Sequence, residues 1–190
     1  MRALVVYESM YGNTRAIAEA ITSALQQSGV PARVTSVGEP TWSVDGLDLL
    51  VLGAPTHTWS MSRARTRAAA ARAAERPGSR LQLEPDALRP GLREWLERQR
   101  RLSPVVAVFD TRSDAPALLT GRAARSLAHR VTRAGGRLVI APQSFLVKDN
   151  RLVDGELDRA RRWGQDLAER IGRPAENPAQ REEGNHDAST

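Results

Sequence analysis

Short apolar runs alternate with amphipathic stretches along most of the chain. Ala3–Tyr7 is an apolar run closed by Glu8, the pattern of a strand buried on both faces. Residues 14–28 then place Ile17, Ala20, Ile21, Ala24 and Leu25 on one helical face, and Gly29 stops the helix. Ala32–Val37 alternates through Val34, Thr35 and Val37 and reads as an edge strand. After an Asp45–Gly46 turn, Leu47–Gly53 is the strongest buried-strand signal in the chain. Val105–Phe109 and Arg137–Ala141 read as the fourth and fifth strands. Helices are predicted over Gly91–Arg101, over Thr120–Ala134 and from an N-cap at Asp154 to Ile171. The last of these turns Leu157, Ala160, Trp163, Leu167 and Ala168 inward. Trp42, Trp95 and Trp163 all fit packing positions.

This order predicts an α/β domain over residues 1–173. Its core is a doubly wound, five-stranded parallel sheet of order 2-1-3-4-5 with helices on both faces. Such a sheet binds ligands at the carboxyl ends of its strands, beside the switch between strands 1 and 3. Two stretches are irregular. Ser62–Pro90 holds an Arg/Ala-rich helix candidate, then Pro77-Gly78, Pro85 and Pro90, and is longer than a usual connection. Gln143–Arg151 either extends the fifth strand or forms a small hairpin. Residues 174–190 are polar and read as a disordered tail.

Three loops meet at the predicted switch point. The first is Ser9-Met10-Tyr11-Gly12-Asn13-Thr14, between a strand and a helix N-terminus. Hydroxyls, an amide and unpaired backbone N–H groups converge there with the positive end of a helix dipole, which suits a phosphate. Gly12 lets the backbone approach without a Cβ in the way. An ordinary turn capped by Asn13 or Thr14 is the plainer alternative. The second loop runs Ala54-Pro55-Thr56-His57-Thr58-Trp59-Ser60-Met61-Ser62, in which Trp59 suits packing on its own loop or on a neighbouring chain and His57 a structural role or that of a proton donor. The third loop is Asp110-Thr111-Arg112-Ser113-Asp114, in which Asp110 also suits a capping role.

Ser9, Tyr11, Gly12, Asn13 and Thr14 match the pattern Ser/Thr-x-Thr/Tyr-Gly-Asn-Thr, and residues 2–172 resemble the flavodoxin family. Within it the chain resembles a basic branch marked by Pro-Thr-His, Met-Ser-Arg, Gly-Leu-Arg-Glu-Trp-Leu, Phe-Asp-Thr-Arg, Ser-Phe-Leu-Val and Asp-Gly-Glu-Leu-x-Arg-Ala-x-x-Trp-Gly. The resemblance implies FMN as cofactor. Ser9, Met10, Tyr11, Gly12, Asn13 and Thr14 would then hold its phosphate. Pro55, Thr56, His57, Thr58 and Trp59 would edge its ring, with Trp59 stacked on it, and Asp110, Thr111 and Arg112 would lie at the pyrimidine end. The third loop lacks the aromatic residue that flavodoxins often carry there. The implied function is carrying electrons to a redox partner protein or a small-molecule acceptor. Two alternatives stay open: an FMN-dependent NAD(P)H:quinone-type reductase, and a flavin-free binding or regulatory module on the same fold.

Composition narrows this further. The chain has no cysteine and three scattered histidines, so neither a disulfide framework nor a histidine metal cluster is expected. Its net charge of +6 is almost all arginine, since Lys148 is the only lysine. The arginines are spread along the chain without a nucleic-acid-binding motif, so no nucleic-acid partner is expected. No apolar run is long enough for a membrane span, and a cytoplasmic location is the expectation. Ala64–Ala74 reads as an Arg-studded surface helix, with a homodimer contact as the alternative. A phosphoacceptor domain is disfavoured because Glu8 stands without an acidic neighbour, and a Rossmann domain because the first loop lacks Gly-x-Gly-x-x-Gly. Arg63, Arg65, Arg67 and Arg112 follow the ring loops in sequence, which would favour a reduced, anionic flavin.

Overall fold

The computed structural model describes residues 1–39, 42–57, 59–99, 101–102, 105–116 and 121–172. The first strand, β1 (Ala3–Tyr7), leads into α1 (Asn13–Gln27), then β2 (Ala32–Ser36), β3 (Leu49–His57) and a two-residue β4 (Ser60–Met61). There follow α2 (Ala64–Ala74), α3 (Leu92–Arg98), β5 (Val105–Ser113) and α4 (Ala123–Arg133). The chain closes with β6 (Arg137–Leu138), β7 (Gln143–Lys148), β8 (Arg151–Leu152) and α5 (Glu156–Gly172).

The sheet order β2-β1-β3-β5-β7 is the expected doubly wound parallel order, with β8 added antiparallel beyond β7. Apolar residues alternate between its two faces. Val5, Leu49, Val51, Phe109 and Phe145 pack under α1 and α5, while Leu4, Val6, Leu50, Leu52 and Val108 pack under α3 and α4. On the first face Phe109, Phe145 and Trp163 form an edge-to-face trio with centroids 5.8–6.3 Å apart. The Phe109 ring occupies the space over Gly53, where an added Cβ would come within 2.0 Å of it. On the second face, Trp42 and Trp95 lie 4.8 Å apart at the margin.

Two strands outrun their apolar segments. The strands expected to stop at Gly53 and Phe109 continue to His57 and Ser113, and their parallel ladder reaches Pro55 opposite Thr111. That extra length changes the fifth strand. Arg137 and Leu138 pair only with Val105 and Val106, and the ladder breaks before Pro142, which has no N–H to donate. It resumes at Gln143–Lys148 against Phe109–Ser113, so the main edge strand is β7 rather than Arg137–Ala141. Both readings of Gln143–Arg151 hold, because β7 extends the sheet and then turns into a hairpin with Val147 opposite Leu152.

The final helix begins at Glu156. Leu157, expected inward, is 38% exposed, while Glu156 is buried. The Glu156 carboxylate accepts the Leu146 N–H at 3.1 Å and pairs with Arg159, so a satisfied carboxylate displaces a leucine from the inner face. The expected tail at 174–190 lies outside the described residues.

Phe109→Ala removes the member of the trio that also fills the space over Gly53. It is expected to cost about 3–5 kcal/mol, read as a lower urea midpoint at unchanged slope.

Candidate functional site

The carboxyl end of β1 delivers the first loop to α1. Gly12 sits in the left-handed region (φ 91°) as the residue before the helix, and its N–H donates to Ser9 Oγ at 3.0 Å. The helix then starts with the Ala16 N–H bonded to the Gly12 carbonyl. The amides of Asn13, Thr14 and Arg15 open α1 with no acceptor among the described residues. Thr14 is buried, and its hydroxyl lies 2.7 Å from that of Thr111, tying the first loop to the third. The Asn13 amide donates to the Asn150 carbonyl (3.2 Å) and side-chain oxygen (3.3 Å) in the β7–β8 turn. Tyr11 points elsewhere, donating its hydroxyl to the Ala70 carbonyl of α2 at 2.7 Å.

The second and third loops are joined by a buried carboxylate. Asp110 is fully buried, and its Oδ2 accepts the Ala124 N–H (2.8 Å) and the Thr56 hydroxyl (3.0 Å). Thr56 Oγ in turn accepts the Ala123 N–H at 3.0 Å. Together they cap the N-terminus of α4. Burial pushes the Asp110 pKa up, and its hydrogen bonds from Ala124, Ser144 and Thr56 oppose that shift.

A cavity of about 290 Å³ opens where the loops meet. Of the residues picked out in the sequence, Ser9, Met10, Tyr11, Asn13, Thr14, Pro55, Thr56, His57, Thr111 and Arg112 line it. Gly12 and Asp110 support its wall from behind. Trp59 does not line it: this residue is 61% exposed, holds a left-handed backbone (φ 66°) and bridges to Gly121. Thr58 lies outside the described residues. Burial, and secondarily the Arg67 charge, lower the His57 pKa, so its imidazole is neutral at pH 7. The Arg112 guanidinium turns back onto the Ala115 (2.6 Å) and Ser113 (3.2 Å) carbonyls of its own loop.

Sequence reasoning missed Leu81, Val147, Asp149 and Asn150, which also line the cavity. Asp149 and Asn150 have positive φ (49° and 59°), as a tight hairpin turn requires. The Lys-Asp-Asn turn was visible in the sequence, but its approach to Asn13 was not. Leu81 gives no sequence signal. It is carried in by the segment after α2, where the Glu84 N–H donates to the Met10 carbonyl at 2.8 Å.

Glu8, which seemed to stand alone, anchors a buried polar network behind the site. Its carboxylate accepts the Ser62 hydroxyl and the Leu92 N–H (3.0 Å), and Arg67 donates to Ser62 Oγ at 2.9 Å. Arg67 also pairs with Glu94 at 3.0 Å, so it adds little positive field to the cavity. Arg93 donates to the Ser62 (2.9 Å) and Met61 (3.0 Å) carbonyls. Gly91 is required by proximity, because a Cβ there would come within 2.2 Å of Glu8 Oε2. These contacts give the Met-Ser-Arg and Gly-Leu-Arg-Glu segments a purpose: they fasten α2, α3 and β4 to the end of β1. Burial raises the Glu8 pKa, partly offset by Ser62, Leu92 and Arg67.

Residues 4–67, which hold the first and second loops, match the model of the flavodoxin domain family. The whole fold agrees. A flavodoxin from the domain Archaea is 22% identical with a TM-score of 0.60, covering 91% of this chain and 100% of that one. The chain has the flavodoxin-like fold. Flavodoxin 1 of Bacillus cereus is 15% identical with a TM-score of 0.59, over 89% of this chain and 98% of that one. The flavodiiron protein of Giardia intestinalis is 16% identical with a TM-score of 0.58, over 90% of this chain but 36% of that one. No curated protein matches the sequence. Among the described residues, no helix is long and apolar enough to cross a membrane.

The buried carboxylate sets a pH dependence. A raised folded-state pKa means that the native protein binds this proton more tightly than the unfolded chain does. The resulting stability is present below the unfolded value and lost as pH rises through the folded one. Glu8→Gln keeps an acceptor for Leu92 and a donor for Ser62 but cannot ionise. The melting temperatures of wild type and Glu8→Gln are expected to lie close at acid pH and to separate, wild type lower, as pH rises. Curves that stay parallel would count against this assignment.

Proposed function

We propose that the cavity holds FMN and that the protein is a redox carrier passing electrons to a partner protein or a small acceptor. The observation that carries this reading is the first loop. Unpaired amides open a 15-residue helix after a left-handed Gly12, and Ser9, Asn13 and Thr14 line the adjoining cavity. That donor set suits a phosphate dianion: the amides and hydroxyls donate, and the helix dipole favours negative charge. Gly12 holds the left-handed turn that starts the helix, and a Cβ there would stand 3.3 Å from Glu84 Oε1.

Pro55, Thr56 and His57 at the end of β3 line the cavity beside Thr111 and Arg112 on the neighbouring β5. These residues suit a flat ring entered from the open side, with its polar edge toward the third loop. A neutral His57 presents a hydrogen-bonding imidazole without adding charge. FMN, when bound, supplies one- and two-electron chemistry, and the protein supplies binding, orientation and electrostatics. The family resemblance and the three-loop geometry point the same way.

Titration of flavin fluorescence tests this reading. FMN is expected to bind with a Kd of about 1 µM or tighter, and riboflavin at least about tenfold more weakly, because it lacks the phosphate. Asn13→Ala is expected to weaken FMN and leave riboflavin nearly unchanged. FMN that stays free and fluorescent would favour the flavin-free binding module, and equal binding of both flavins would remove the phosphate from the first loop.

A further inference from the structure

Trp59 stands 61% exposed, two residues beyond His57 at the cavity. Its left-handed backbone is disfavoured for a residue with a Cβ, and the bridge to Gly121 holds it there. A Cβ on Gly121 would come within 2.2 Å of the Trp59 Cα, so glycine is needed opposite. One residue further on, Ser60 Oγ donates to Ser126 Oγ of α4 at 3.3 Å. These two contacts lay the Trp59 hairpin against the first turn of α4.

That turn is cationic. Arg122 and Arg125 lie between the two contacts in sequence, and His129 and Arg133 continue from Arg125 at four-residue spacing along the exposed side of the helix. Arg122, Arg125 and Arg133 are exposed and make no ion pair or side-chain hydrogen bond among the described residues. Residues 122–133 contain no Asp or Glu. Arg63 and Arg65 stand exposed just after the hairpin. Arg93 is fixed on the Ser62 and Met61 carbonyls. Burial lowers its pKa, the charges of Arg130 and Arg63 lower it further, and Glu97 and Glu94 oppose them. Those two carboxylates are already paired, Glu97 with Arg130 at 3.1 Å and Glu94 with Arg67 at 3.0 Å. The face therefore keeps a surplus of exposed positive charge around one exposed ring.

We propose that this face docks a partner protein through that partner's acidic surface, with Trp59 as the anchor and Arg122, Arg125 and Arg133 as the flanking charges. Tryptophan and arginine dominate binding energy where proteins meet, and charge of one sign speeds encounter with its opposite. A second copy of this chain would set arginine against arginine. A nucleic-acid strand is held on rows of aromatic residues, and Trp59 stands singly. The first amides of α4 are held by Thr56 and Asp110, and Thr56 lines the cavity, so a partner seated here adjoins it. The inference rests on the carrier reading above for what the partner receives, and adds the partner's charge and its seat.

Cytochrome c and its succinylated form are the probes, since they share a fold and a haem but have basic and acidic surfaces. Each is titrated into isotope-labelled protein with and without FMN. At low salt the succinylated form is expected to bind at least about tenfold more tightly than the native form and to shift the amides of Trp59 and residues 121–126. That advantage is expected to shrink as salt rises. The triple variant Arg122→Ser, Arg125→Ser, Arg133→Ser is expected to lose the advantage with melting temperature and FMN affinity unchanged. Trp59→Ala is expected to weaken docking at low and high salt alike. Equal binding of the two cytochromes, shifts centred on residues 148–151, or a preference untouched by the triple variant would overturn the docking face. A DNA duplex binding the same arginines more tightly than the succinylated cytochrome would overturn the choice of a protein partner. Docking retained by a protein that binds no FMN would sink the carrier reading and leave the face, whereas FMN bound without docking would sink the face alone.

Discussion

The parallel pairing of β3 with β5 beyond the apolar core is the constraint on which the site depends. Apolar side chains hold the two strands together through Ala54 and Phe109, and past that point the paired positions are largely polar. The ladder still runs to Pro55 and Thr111, because the buried Asp110 carboxylate joins Thr56 on the neighbouring strand to the first amides of α4. The two donors to Asp110 Oδ2 offset part of the cost of burying this carboxylate. The same extension carries Thr111 to the hydroxyl of Thr14 and gives β7 an edge to pair with. One polar junction thus sets the positions of all three loops.

Glu8 performs a comparable task on the opposite side of β1. A carboxylate at the end of a central strand organises Ser62, Arg67 and the start of α3, and Gly91 makes room for it. The long segment between β3 and β5 is therefore fastened to the first loop by polar contacts, although it carries few buried apolar residues. Breaking such a network on one side leaves charges buried without partners, which costs more than the intact network contributes. Of the motifs that carry the resemblance, Met-Ser-Arg and Gly-Leu-Arg-Glu-Trp-Leu fall on this fastening, whereas Pro-Thr-His and Phe-Asp-Thr-Arg lie at the cavity.

The sheet order and the first loop were legible because they rest on local signals: an apolar run, a glycine-containing turn and an amphipathic helix with a clean stop. Strand ends were less legible. Thr56, Asp110 and Thr111 are polar, and nothing local shows that they satisfy one another across strands. The fifth strand was misplaced for the same reason, since Gln143–Lys148 pairs only because β5 is longer than its apolar segment. Leu81, Asp149 and Asn150 reach the cavity through tertiary approach alone. Trp59 shows the opposite case: a stacking residue suggested by its place in the loop stands exposed and off the cavity wall.

The central claim is that the three loops form a single flavin site anchored at its phosphate. Amide chemical-shift mapping with FMN added to isotope-labelled protein tests it most directly. The account predicts that the largest shifts fall on Tyr11–Arg15, Thr56–His57 and Thr111–Ser113 together, with little change at Arg33, Val34 or Trp42 at the far end of the sheet. Shifts centred on that far end, or confined to one loop, would contradict it.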